Sequence, residues 1–120
     1  MDALENLEVW NHSCQLSVQL CKVLSDCKDR GFKDQITRVA LSIPSNIAEG
    51  NEWDSLKSCV QYLEIAKGSS GERGTQLLIG RKIGFIDSET GKYLELEAKN
   101  ISNMLYGWIE YYKSSHKPCS

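Results

Sequence analysis

Between Gln35 and Asn51 the chain reads Gln-Ile-Thr-Arg-Val-Ala-Leu-Ser-Ile-Pro-Ser-Asn-Ile-Ala-Glu-Gly-Asn. Ile36, Val39, Ala40, Ile43 and Ile47 recur three and four apart, a helical period that turns one face toward a core. Pro44 falls inside this pattern. Proline lacks a backbone N–H and crowds the preceding turn, at a cost of about 3 kcal/mol inside a helix. The segment therefore bends or restarts a helix at Pro44, leaves a backbone carbonyl free near Ala40, and stops near Gly50, whose freedom at positive φ suits a C-terminal cap.

Three further segments share the helical period. The first runs from about Leu7 to Ser25, with Leu7, Trp10, Cys14, Ser17, Cys21 and Leu24 as a coiled-coil-like seam widened by Val18. A polar turn from Asp26 to Gly31 follows. The third begins at Asp54 or Ser55, both good N-caps, and continues toward Gly84 with Leu56, Cys59, Val60, Leu63, Ala66, Ser70, Leu77 and Leu78 as its stripe. Gly68, Gly71 and Gly74 are poor helix formers in its middle. They mark either a break or a place where a neighbouring helix approaches closely, and the unbroken register of the stripe favours the second. Gly84 to Asp87 turns the chain into a fourth helix, capped by Asp87 or Ser88 and reaching about Lys113 on Leu94, Ala98, Ile101, Leu105, Trp108 and Tyr112. Residues 114–120 read as a frayed polar tail. No segment sustains a period of two. The expectation is all-α: one domain over residues 1–120, an antiparallel up-down-up-down four-helix bundle with a Pro-kinked second helix.

The chain's 120 residues suffice for one core without covalent staples. A net charge of −2, with both signs interspersed, lacks the basic excess of a general nucleic-acid binder. The five cysteines, Cys14, Cys21, Cys27, Cys59 and Cys119, are odd in number and contain no Cys-x-x-Cys, so reduced thiols are expected, with Cys14 and Cys21 as small buried hydrophobes. Asp2, Glu5 and Glu8 interrupt any signal-like apolar run, and no stretch approaches membrane-spanning length. A cytoplasmic location follows as an expectation.

Several motifs then align in order: Leu7-Glu8-Val9-Trp10; Ser42-Ile43-Pro44-Ser45-Asn46-Ile47-Ala48-Glu49-Gly50; Ile65-Ala66-Lys67-Gly68-Ser69 with Glu72 and Thr75-Gln76-Leu77; and Ile83-Gly84-Phe85-Ile86. In these the chain resembles the small four-helix-bundle proteins encoded by intervening sequences of large-subunit ribosomal RNA genes, which are related to the accessory protein of diversity-generating retroelements. The resemblance spans almost the whole chain. It implies an antiparallel bundle assembled into a homopentamer with no known enzymatic activity and, for the retroelement branch, a basic surface that binds nucleic acid and a reverse transcriptase. This chain departs from that branch in its acidic balance. It also departs at Arg73 and Gly74, where relatives carry an apolar and a longer charged residue. Arg73 then points to a subunit interface or channel, or to a local distortion of the third helix.

Candidate sites are few. His12 and His116 lack clustered acids or thiols at ligand spacing, so no metal or cofactor is expected. Near the proline, Ser45 is read as bonding the backbone locally. Asn46 and Glu49 are candidate interface residues, with Arg38 or a neighbouring subunit as partners for Glu49. Trp53, between Glu52 and Asp54, is a candidate partner contact. Lys57, Lys67, Arg73, Arg81 and Lys82 give the third helix a basic bias, either a solvated face or a contact for RNA or DNA phosphates. Gly80-Arg81-Lys82-Ile83-Gly84 reads as helix termination, since a phosphate loop would follow a strand. No nucleophile has a local base and no small-molecule substrate is evident. The functional expectation is a non-enzymatic, homo-oligomeric scaffold or adaptor, with a nucleic-acid-binding accessory module as the alternative. An enzyme would need a site assembled across subunits around Glu49 or Glu72.

Overall fold

The structure, a computed structural model, describes residues 7–52 and 55–115. Among them the chain forms four α-helices and no strand: α1 (Glu8–Val23), α2 (Arg30–Glu52), α3 (Leu56–Lys82) and α4 (Ser88–Ser115). The helix ends follow local side-chain chemistry. Asp29 accepts the Phe32 N–H at 2.9 Å and starts α2 earlier than the apolar pattern alone implies. Ser55 accepts from the Ser58 N–H at 3.3 Å to start α3, and Asp87 from the Thr90 N–H at 3.2 Å to start α4. Each satisfies a donor that the first helical turn leaves open. At the far end of α3, Gly84 takes φ 86°. The Phe85 N–H reaches the Gly80 carbonyl at 2.9 Å and the Gly84 N–H the Arg81 carbonyl at 3.2 Å, a Schellman closure.

The helices pack as a bundle in which α3 lies against α2 and α4, and α1 against α2 and α4. The described residues extend over 51 × 22 × 19 Å. Gly50 of α2 meets Cys59 of α3, and Gly80 of α3 meets Phe32 of α2. Ser70 of α3 bonds Ala98 of α4, and Arg81 bonds Glu95. Rising numbers on one helix thus meet falling numbers on the next, so α3 runs opposite to both neighbours. The apolar stripes converge on one core. Leu16, Leu20 and Leu24 of the first helix and its turn, Ile36, Ile43 and Ile47 of α2, Leu77 of α3, and Leu94, Ile101 and Leu105 of α4 are under 2% exposed. Burying each such side chain stabilises the fold by about 1.5–3 kcal/mol.

Five readings of the sequence are corrected. The core face of α1 is rotated from the expected seam: Val9, Ser13, Leu16 and Leu20 join Leu7, Ser17 and Leu24 inside, while Trp10 and Cys14 are half-buried and Cys21 is exposed. A straight helix drifts about 20° per heptad from a strict seven-residue seam, and the leucines take the core in place of the thiols. Gly50 is not a positive-φ cap; it lies inside α2, where a Cβ would stand 3.2 Å from the Cys59 carbonyl oxygen. Helix α3 is unbroken through Gly68, Gly71 and Gly74, yet no neighbouring helix closes on them, for a Cβ there would meet nothing within 4 Å. Close approach occurs instead at Gly50, Gly80 and Gly91. Finally, Leu78 is exposed, outside the buried stripe of α3, and α4 continues into the expected tail as far as Ser115. His116, Pro118 and Cys119 lie outside the described residues.

Candidate interaction surfaces

The proline segment resolves into a buried joint. Helix α2 carries Pro44 within its run, and Pro44 itself is buried. The carbonyl that a residue at 44 would normally bond is that of Ala40. Ser17 of α1 supplies the missing donor: its hydroxyl lies 3.1 Å from the Ala40 oxygen and 3.0 Å from the Ser13 oxygen of its own helix. Nothing in the α2 sequence named Ser17 as this partner, although a buried hydroxyl on the facing stripe was a legible signal. Asn46 donates to the Ser42 carbonyl at 2.7 Å, a bond within its own helix, and is half-buried. Ser45 and Glu49 are exposed. Among the described residues no ion pair joins Glu49 to Arg38. Trp53 lies outside the described residues.

Arg73 is not at the surface. It is 0% exposed, and among the described residues none of its three guanidinium nitrogens has a hydrogen-bond partner. Burial lowers its pKa from the ordinary arginine range to about 10, so it remains a cation at neutral pH. The position belongs to the buried stripe of α3, between Ser70 and Leu77.

The remaining basic residues of α3 divide. Arg81 turns inward across the α3–α4 seam, where Nε and Nη2 donate to the two carboxylate oxygens of Glu95 at 2.5 and 3.2 Å. This fork raises the Arg81 pKa and occupies its charge. Lys57, Lys67 and Lys82 are exposed. Lys67 stands 6.0 Å from the centre of the Tyr106 ring. His12 Nδ1 lies 3.6 Å from Glu97. Among the described residues no group of three or more His, Cys, Asp or Glu could hold a metal ion, and no helix is long and apolar enough to cross a membrane.

The outer surface of α3 and α4 is more apolar than the stripes alone implied. Ile65, Leu78 and Ile79 on α3, Ile83 at its end, and Tyr93, Leu96, Tyr106 and Tyr111 on α4 are all exposed, Leu96 by 58%. Ile65, Gly68, Glu72, Thr75 and Ile79 recur three and four apart on the outward side of α3, and every one is exposed. This is a second helical seam, with small residues in it and no cover among the described residues. At the end of the bundle, Leu56, Val60 and Tyr112 line a groove of about 480 Å³ edged by Lys57, Glu64 and Lys113. Trp108 stacks on Tyr112 beside it, centroids 5.5 Å apart.

With this geometry in hand, the comparisons with known proteins are specific. The profile described as 23S rRNA-intervening sequence protein matches residues 5–107. Among solved structures, a protein with unknown function from the S23 ribosomal protein family of Bacteroides thetaiotaomicron is similar in fold, with a TM-score of 0.79 at 22% identity, covering 84% of this chain and 97% of its own. No curated protein matches.

Proposed function

The chain belongs to the 23S rRNA-intervening sequence protein family, and we propose that it works as a non-enzymatic, homo-oligomeric scaffold or adaptor in the cytoplasm. One observation carries this reading: the outer faces of α3 and α4 hold a set of exposed isoleucine, leucine and tyrosine side chains, including a seam on α3 with small residues in it that none of the described residues covers. Monomeric proteins rarely leave extended apolar surface in water, and a seam of this spacing fits the face of another helix. A second copy of the chain is the partner of choice, and five copies is the number that the family resemblance implies. Asn46, Glu49 and Trp53 remain candidate contacts at the α2 end. Size-exclusion chromatography with light scattering tests the proposal. An assembly at micromolar concentration, reduced to monomers by Ile79→Glu, is expected; a strictly monomeric wild type overturns it.

A second reading is favoured by the exposure of Lys57, Lys67 and Lys82 along α3, with Tyr106 beside Lys67. These side chains suit RNA or DNA phosphates, with a ring available for a base. Arg73 and Arg81 are left out of that contact, one buried and one bound to Glu95. Binding to structured RNA that falls steeply with added salt supports this reading, and no binding at low salt ends it.

A further inference from the structure

We propose that the core layer around Arg73 binds one small monovalent inorganic anion, of halide size, against the guanidinium. The register of the helices defines the layer. Gly50 against Cys59 and Gly80 against Phe32 set α2 beside α3 so that Arg73 falls within about one turn of Ala40, whose carbonyl receives Ser17 of α1. One turn before Arg73, Ser70 donates to the Ala98 carbonyl of α4 at 3.1 Å. Ser17, Ala40, Ser70 and Ala98 are all buried and all small. Each of the four helices thus contributes a short buried side chain near the level at which α3 contributes a long one.

The charge is what the layer lacks an answer for. Three buried guanidinium nitrogens go without partners among the described residues. An isolated buried charge is normally neutralised or paired. On α4, Glu95 is bound to Arg81 and Glu97 lies toward His12. Ser70 donates to the Ala98 carbonyl and Ser17 to a carbonyl of α1 or α2, and as neutral hydroxyls they supply no counter-charge. A counter-ion from solution completes the layer. Size limits it: a fully buried position among packed helices takes a halide or nitrate and refuses a phosphate ester. The route in is α3 itself, since Gly68, Gly71 and Gly74 flank Arg73 and weaken the helix on both sides of it.

The test uses the full chain, its Arg73→Met variant, and chloride, bromide and nitrate as probes against sulfate at matched ionic strength. The wild type should gain several degrees in Tm, saturating with chloride or bromide as a single-site ligand does, while Arg73→Met shows no such specific gain. A crystal grown in bromide should show the ion against the guanidinium. Equal halide responses in the two proteins overturn the proposal, as does a wild-type crystal in which waters alone surround Arg73. Should Arg73→Met fail to fold, the bromide crystal decides the matter by itself. The site is internal to one chain, so its failure leaves the oligomer proposal untouched.

Discussion

The hydroxyl of Ser17 on α1 lies 3.1 Å from the carbonyl oxygen of Ala40 on α2, the oxygen that Pro44 deprives of its helical donor. One serine thereby closes a gap in a different helix and ties α1 to the middle of α2. A buried carbonyl without a partner costs about 1–3 kcal/mol, so the proline is tolerated where this hydroxyl can reach.

Ser17→Ala should therefore lower stability by about 1–3 kcal/mol. Pro44→Ala restores the N–H and lets α2 bond Ala40 itself. In that background the Ser17→Ala cost should shrink by about 1 kcal/mol. Urea denaturation of the four proteins measures the coupling, and strict additivity would show that Ser17 does not serve the proline.

Glycine to alanine should act in opposite directions along α3. A Cβ on Gly80 would stand 2.6 Å from Phe32 Cζ and 3.1 Å from Ile86 Cδ1. Phe32 is itself held edge-on against Phe85, centroids 5.1 Å apart, so Gly80→Ala should destabilise by about 1–3 kcal/mol. Gly68→Ala and Gly71→Ala meet open space and should each stabilise the fold by about 0.5–1 kcal/mol. If a second copy docks on the outer seam of α3, Gly68→Ala, which lies in that seam, should also weaken association. Midpoints of urea unfolding and light scattering separate the two effects.

Arg73 gives a pH dependence with a definite sign. The folded protein holds this proton less tightly than the unfolded chain, with a pKa lowered by burial to about 10, below the ordinary arginine value. The unfolded state therefore binds more protons between these values, and wild-type stability should rise as pH passes through that window. Below about pH 10 the full penalty, about 3 kcal/mol, is present. Arg73→Met removes it and should be more stable than the wild type by about 1–4 kcal/mol at pH 7 in halide-free buffer. The difference between the two proteins should narrow above pH 10; a constant difference would place the cost of Arg73 elsewhere than in its charge.

The caps give the plainest expectation. Asp29→Ala and Asp87→Ala each remove the acceptor of a first-turn N–H and should cost about 1 kcal/mol apiece. The two sites stand at the starts of different helices, so the losses should add in the double variant, measured by thermal or urea unfolding.

The helices themselves were legible from the chain, because apolar spacing and caps act over a few residues. Ser55 and Asp87 start α3 and α4 as their side chains require, and Ile36, Ala40, Ile43 and Ile47 face inward as their spacing requires. The candidate contacts fared unevenly. Lys57, Lys67 and Lys82 are surface groups, whereas Asn46 turns to its own backbone and Arg81 to Glu95.

What the sequence determined alone is the set of four amphipathic rods and the one backbone carbonyl that Pro44 must orphan. Which group answers that carbonyl, which face of α1 goes inward, and that Arg73 is enclosed were decided only when the rods met. Arg73 lies on the stripe position between Ser70 and Leu77, yet charge alone would send it to water. The buried residues placed near its level by the helix register, Ser17, Ala40, Ser70 and Ala98, are short and come from all four helices, remote from one another in the chain. Such complementarity is a property of the assembled core, because no local stretch of residues records the volume that its distant neighbours will leave.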